Sequence, residues 1–434
     1  MMSRGMHALI RFGLGRRGDE EVPADPQAWL AAQLEGPDPA LALPAASLED
    51  GLVAWREDLR RGNDGLMASR AIMQADTATL LGHAVATDRP FRERLVWFWA
   101  NHFTVSLRRG GVQAVANAYL REAIRPHVTG RFADMLGAVM RHPAMLFYLD
   151  NAQSAGPDSP MARRVAGEAQ RAVGLNENLA RECLELHTVS PAAGYTQRDV
   201  EQLALVLTGW TVALRQERPR PLFRPMLHQP GPKTVMGVAV PAGPEGLDVV
   251  VAALARHPAT HRHLATKLVR HFVADDAPEP AVARVAAVLA QSDGNLKAAA
   301  LAVAGLAQAW APLTKLRSPF DYVMAVTRAM DLPPGRRMAL RDVLALLGHN
   351  VMNAPLPNGW PDTARDWASP EAMMRRIDWA HSVAASGGAT DPPAVADRAL
   401  GPLLRETTRQ EMMRAGSRRE ALTLLFASPE FQRR

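Results

Sequence analysis

Gly194-Tyr-Thr-Gln-Arg-Asp-Val-Glu-Gln-Leu-Ala-Leu-Val-Leu-Thr-Gly-Trp210 carries both the start and the buried face of a helix. Thr196 stands three residues before Asp199, the spacing at which a hydroxyl and a carboxylate satisfy each other's backbone N–H groups in a capping box. Val200, Leu203, Ala204 and Leu207 then recur with helical period and Trp210 closes the face. The preceding stretch, Asn176-Glu-Asn-Leu-Ala-Arg-Glu-Cys-Leu-Glu-Leu-His-Thr188, repeats the pattern with Leu175, Leu179, Cys183 and Leu186 as its apolar stripe. Working outward, the same recurrence runs from Gln27 to Pro126 and from Leu247 to the end of the chain. It is broken by Pro- and Gly-rich clusters at 37–44, 62–65, 88–90, 110–111, 275–280, 333–335 and 386–393.

The helical period is lost between Pro219 and Pro244. Leu222-Phe223 and Thr234 to Val240 flank a Pro-Gly-Pro turn there, which suits a short hairpin. The fold class that follows is all-α: a large multi-helical globular domain with a small β-hairpin insertion around 222–240. Its parts are 1–150, 151–245 with the polar helices and the hairpin, and 246–434, joined in one integrated domain. The pairs His142-Pro143, His257-Pro258, Ser318-Pro319, Ser369-Pro370 and Ser428-Pro429 read as helix starts, since proline suits the first turn. The loop Asn353 to Asp366, with Trp360 and with Trp367 just beyond it, is long and reads as ordered.

The 434 residues are 47% hydrophobic and 22% charged, the composition of an ordinary folded protein. The formal charge of +6 comes almost wholly from arginine, with lysine only at 233, 267, 297 and 315. These arginines interleave with Asp and Glu and no reading motif accompanies them, so a nucleic-acid partner is not expected. The single Cys183 excludes an internal disulfide or a thiolate metal cluster. No apolar run approaches the ~20 residues that cross a bilayer, and Arg4 and Arg11 interrupt the N-terminus before a signal sequence forms. A cytoplasmic location is the default reading, with export alongside a partner as the alternative.

Two segments can carry chemistry. Arg94-Leu-Val-Trp-Phe-Trp-Ala-Asn-His-Phe103 is apolar on every side except at Asn101 and His102, so one of the two is expected to be buried. On the polar helix Asn178, Glu182 and Glu185 form one row and Glu177, Arg181 and Glu185 another. Solvated, this is a ladder of salt bridges. Given a ligand from another helix, the carboxylates can serve acid/base chemistry or bind a hard divalent cation, and His102 is the expected third group. The offsets Glu182-x-x-Glu185 and Glu185-x-His187 are not the Glu-x-x-His of a di-iron bundle. In the hairpin region His228 and Lys233 flank the turn, and in so lysine-poor a chain Lys233 and Lys267 mark places that want a compact ammonium. Gly209 before Trp210 permits close backbone approach, and Trp210 can wall a pocket.

These segments resemble the bacterial family catalogued as domain of unknown function 1800. The matching stretches include Arg11-Phe-Gly-Leu-Gly15, Trp97 to Val105, His142 to Asn151, Asn176 to His187, Gly194 to Asp199, Leu207 to Trp210, His228 to Lys233, His257 to Thr260 and Ser428 to Phe431. The resemblance implies a large helical protein often encoded beside a sulfatase-like or phosphatase-like one. Shared motif positions fall at Asn101, His102, Glu177, Asn178, Arg181, Glu182, Glu185, His187, Trp210, His228 and Lys233. Cys183 replaces an aliphatic residue, and Gln229 stands where an aspartate usually follows the histidine.

The resulting expectation is one pocket. His102, Glu182 and Glu185 are its catalytic and metal-binding groups, with Arg181 and Lys233 holding an anion. Asn101, Glu177, Asn178, His187, Trp210 and His228 line it, and a divalent metal is the expected cofactor of a hydrolase-like reaction. The alternative is a non-catalytic scaffold for the sulfatase- or phosphatase-like neighbour, contacting it through the loop near Trp360.

Overall fold

The computed structural model describes residues 2–62, 67–165, 174–332, 339–386 and 390–434. The breaks expected at Pro333–Gly335 and at 63–65 lie outside them. Sixty-three per cent of the described residues are helical, in twenty-two α-helices and several shorter 3-10 and π segments, with two small two-stranded sheets. No described helix is long and apolar enough to cross a membrane.

Helix starts follow the local chemistry. Thr196 and Asp199 close the capping box, as do Ser47 and Asp50. Proline occupies the first turn after Asp25, Ser318, Ser369 and Asp391, whose side chains accept backbone N–H groups. The two His-Pro tetrads are caps as well, since the Nδ1 atoms of His142 and His257 accept from the N–H groups of Ala144 and Ala259 at 3.1 Å each.

Two hydrophobic cores share the N-terminal segment. The larger draws on Phe12, the helix Pro90–His102, the helices between Gly110 and Leu207, and Pro258–Phe272. The smaller packs Met6, Leu9, Leu81 and Val85 against Pro319–Ala329 and the C-terminal helices. Trp97 lies against both, so the helix Pro90–His102 runs along their seam. Beside it the fully buried Arg125 is paired with Glu93 at 2.8 Å and Asp38 at 3.1 Å.

The insertion differs from the expected single hairpin. β1 (Trp210–Val212) pairs antiparallel with β2 (Pro221–Phe223), and β3 (Lys233–Val235) pairs with β4 (Val238–Val240). The stretch Thr234 to Val240 is thus itself a hairpin rather than one arm of a longer one. Its two-residue loop has positive φ at both Met236 (47°) and Gly237 (79°), the geometry that matches strand twist. The Met236 N–H donates to Asp199 Oδ1 at 2.7 Å and fastens this hairpin to the helix Gln197–Leu207.

The polar helix also departs from regular geometry. Asn178–Glu182 is α-helical and Cys183–His187 continues as a π-turn. That extra residue per turn buries Leu184 and His187 along with Leu179 and Cys183, while Leu186 stays half-exposed.

Candidate functional site

The expected site residues fall in four places. His102 and His187 are buried in the larger core. His102 Nε2 donates to the His187 carbonyl at 3.1 Å, and His263 Nε2 donates to Leu186 O at 3.0 Å, so two imidazoles cap the end of the π-turn. The rings of His187 and His263 lie 6.0 and 6.1 Å from that of His102. Burial, then the charge of Lys267, pushes His102 far below its usual range and takes His187 to about 3. Both are neutral, and Nδ1 of each is buried without a partner.

The acidic residues sit apart from this pair. Glu177, Arg181 and Gln197 form a ring of bonds at 2.9 Å each. Tyr195 donates to Glu185 at 3.3 Å, while burial and the neighbouring Glu185 raise the Glu182 carboxyl. Asn178 is exposed. No hydrogen bond or ion pair joins His102 to Glu182 or Glu185. Among the described residues no three His, Cys, Asp or Glu side chains stand close enough together to hold a metal ion. The imidazole of His102 is turned to the His187 carbonyl at the end of the π-turn rather than to Glu182 or Glu185.

The third group lies under the small sheets. His228 Nδ1 donates to Thr208 O at 2.8 Å, which leaves Nε2 to accept from the Gly243 N–H at 3.0 Å and from Lys233 Nζ at 3.1 Å. Lys233 also donates to Gln229 O, and burial brings its ammonium down to about 8. Trp210 receives the Arg141 guanidinium over its ring at 5.0 Å. These contacts clamp three loops together.

Asn101 stands in the fourth place, on the wall of a cleft of about 90 Å³. Its side chain donates to Trp360 O at 2.9 Å and accepts from the Trp360 N–H at 2.7 Å, tying the Trp/Pro loop to the helix Pro90–His102. Trp97, Phe98, Phe320 and Trp360 supply the apolar lining, and Arg94, Thr104, His271, Ser318, Asp321, His349 and Asp362 the polar one. The loop is ordered as its composition suggested: Trp367 is buried and Trp360 half-buried.

Within this cleft His271 Nδ1 donates to Asp362 Oδ2 at 2.8 Å. Nε2 is buried and has no partner. A carboxylate on one ring nitrogen fixes the tautomer and presents the other nitrogen as a base. Burial chiefly lowers the His271 pKa, so the ring is neutral near pH 7. Burial pushes the Asp362 carboxyl up, yet His271, Lys315 and Arg434 together hold it far below the usual carboxylate range. Lys315 spans Asp275 at 2.6 Å and Asp362 at 3.6 Å, and Arg434 joins Asp321 at 2.7 Å, which Arg94 holds from the other side at 2.9 Å.

The residue pattern contained a signal for this pair. His263, Lys267 and His271 recur every fourth residue on one helix, beside the core positions Leu264, Leu268 and Phe272. Asp362 follows Trp360-Pro361 in the aperiodic loop.

The fold and cleft define an all-α globular protein with an aromatic, arginine-bordered cleft holding a carboxylate-oriented imidazole. The chain belongs to the family described as "Protein of unknown function (DUF1800)", whose profile matches residues 7–433. No curated protein and no solved structure matches it.

Proposed function

We propose that the protein is a hydrolase-like enzyme whose general base is His271, oriented by Asp362, in the cleft closed by Trp360. One observation carries the reading: an imidazole on the wall of a cavity large enough for several waters, with its Nδ1–H on a carboxylate and its Nε2 buried without a partner. Such a nitrogen takes a proton from water or a substrate hydroxyl, and the ring of cations steadies the negative charge that develops. Asn101 acts as a positioning residue by holding the loop that carries Asp362.

The test is turnover of chromogenic carboxylic and phosphoric esters by the parent protein, His271→Gln and Asp362→Asn, each checked for folding by circular dichroism. A loss of roughly 10²–10⁴-fold in kcat on removing the base is expected. No turnover by the parent, or turnover that survives both substitutions, overturns the proposal. Glu182 and Glu185 form a separate acid–base candidate, favoured by the raised Glu182 carboxyl and by Tyr195 donating to its neighbour Glu185.

A second reading is a docking protein for a sulfatase- or phosphatase-like neighbour. Leu346, Leu356 and Met374 stand exposed on segments flanking the cleft and favour it. Co-expression tests this reading, which fails if no such neighbour co-purifies with the parent or if Leu356→Asp leaves capture unchanged.

A further inference from the structure

Behind the cleft, whose own lining holds Arg94, Asp321 and Asp362, cationic side chains outnumber carboxylates. Arg94, Lys267, Lys315, Arg317 and Arg434 act on Asp275, Asp321 and Asp362 through ion pairs or at longer range. The imidazoles do not enlarge this surplus, since His271 and His349 are both neutral. Uncompensated charge in a buried cluster is costly. The molecule registers that cost: burial lowers Lys267 to about 8 and Arg317 to about 9.

Donors are also left over. Arg94 gives Nε to Gly13 O and lies with Nη1 2.9 Å from Asp321, yet that buried Nη1 makes no aligned hydrogen bond. Arg317 Nη1 and His349 Nδ1 are buried and unpartnered. Beside them stand flat apolar walls. Trp97 packs on Phe320 at 4.9 Å, and the rings of His349, Trp360 and Trp367 form one cluster with centroids 4.9, 5.6 and 5.8 Å apart.

The geometry points to a small organic oxyanion with a flat apolar body as the ligand of this cleft, its charged end held by Arg94 and its ring between Trp97 and Trp360. The assignment deepens the hydrolase reading and rests on the same cleft. The oxyanion completes the charge balance, its body replaces water on the aromatic faces, and a neutral analogue does only the second.

The experiment uses the full chain, with benzoate, phenyl phosphate and neutral benzyl alcohol as probes in calorimetric titrations and thermal melts at low salt. Benzoate or phenyl phosphate at 10 mM is expected to raise Tm by roughly 2 °C or more, and benzyl alcohol to leave it unchanged. The tighter of the two anions identifies the oxyanion as carboxylate or phosphate. Lys267→Met is the decisive variant. Removing one surplus cation is expected to raise the Tm of the free protein while weakening anion binding at least roughly threefold, whereas a merely structural lysine lowers Tm and leaves affinity alone.

Equal binding of benzyl alcohol, or an unchanged affinity in a folded Lys267→Met, overturns the proposal. If that variant does not fold, Trp360→Ala and the anion-to-neutral comparison in the parent decide. Inorganic phosphate binding as tightly as phenyl phosphate overturns the flat-body part. Anion binding without ester turnover upholds this inference and overturns the hydrolase reading alone.

Discussion

Asn101→Ala isolates the role of the one expected ligand residue that reaches the cleft. The substitution removes two hydrogen bonds, from Nδ2 to Trp360 O and from the Trp360 N–H to Oδ1. Each contributes about 0.5–1.5 kcal/mol net, so the clamp stabilises the loop by roughly 1–3 kcal/mol. Gly359 provides an independent route to the same contact. It holds a φ of +82°, and a Cβ there would lie 2.5 Å from Asn101 O and 2.6 Å from Oδ1. Gly359→Ala therefore costs about 1–2 kcal/mol of left-handed strain, plus displacement of the clamp. Hydrogen exchange reads the loop directly. The Trp360 amide is expected to lose roughly 10–100-fold of its protection in either variant, with smaller changes at Leu203 and Leu264 in the larger core. The double variant is expected to cost less than the sum, because both act on one contact. Unchanged protection of the Trp360 amide in Asn101→Ala refutes the clamp, and with it the positioning role.

Four further outcomes are expected. The buried His7, His142 and His187 have pKa values lowered to about 4, 3 and 3, mainly by burial, so the unfolded chain takes up protons that the folded one refuses. Stability is thus intact above the unfolded value near 6.5 and falls by roughly 3 kcal/mol for the three together between pH 6.5 and 5.5, to be read as a falling Tm; a flat profile contradicts the burial. Glu93→Ala strips Arg125 of its bidentate partner in a fully buried site and is expected to cost about 3–5 kcal/mol by urea denaturation, Asp38 alone being too little to hold the charge. Arg328→Lys keeps the charge but loses the fork that bonds Gly15 O, Val85 O and Thr87 O, for an expected loss of about 2–4 kcal/mol; a variant as stable as the parent shows that charge alone matters there. Cys183 is buried and its thiol pushed up to about 12, so a disulfide reagent is expected to modify it only upon unfolding, in step with loss of the helical signal.

What was legible in the sequence was local. Thr196 with Asp199, and serine or histidine before proline, specify helix starts through bonds spanning two or three residues, and those starts stand where the pattern put them except at Ser428-Pro429, where the helix Arg418–Ala427 ends and only turns follow. The small hairpin insertion stands where the pattern put it, but its closing turn is Met236-Gly237 rather than Pro230-Gly231-Pro232, with a methionine at positive φ that no turn preference announces. His102 was legible as a buried polar residue from its aromatic flanks. Its partner was not, since the π-turn at Cys183–His187 shifts the register by which Glu182 and Glu185 were aimed at it. The pair His271 and Asp362 lies 91 residues apart, one member on a helix face and the other in an aperiodic loop, so only the folded chain brings them together.

The arginine surplus belongs to the same argument. Read as composition, it invited a search for a polyanionic partner, yet many of these guanidiniums face inward and meet backbone carbonyls far away in the chain. Arg11 reaches Val273 O, Ala311 O and Pro312 O; Arg92 reaches Gln33 O, Glu35 O and Gly36 O; Arg434 reaches His271 O. A fork of five donors can close several carbonyls at loop ends that no helix or sheet satisfies, which a lysine's single ammonium cannot. Each such staple buries a positive charge, and carboxylates are fewer than cations where Arg94, Arg317 and Arg434 converge. The means by which this chain ties its two cores together thus gathers more cations than carboxylates behind the cleft beside His271, and the proposed oxyanion would offset that surplus.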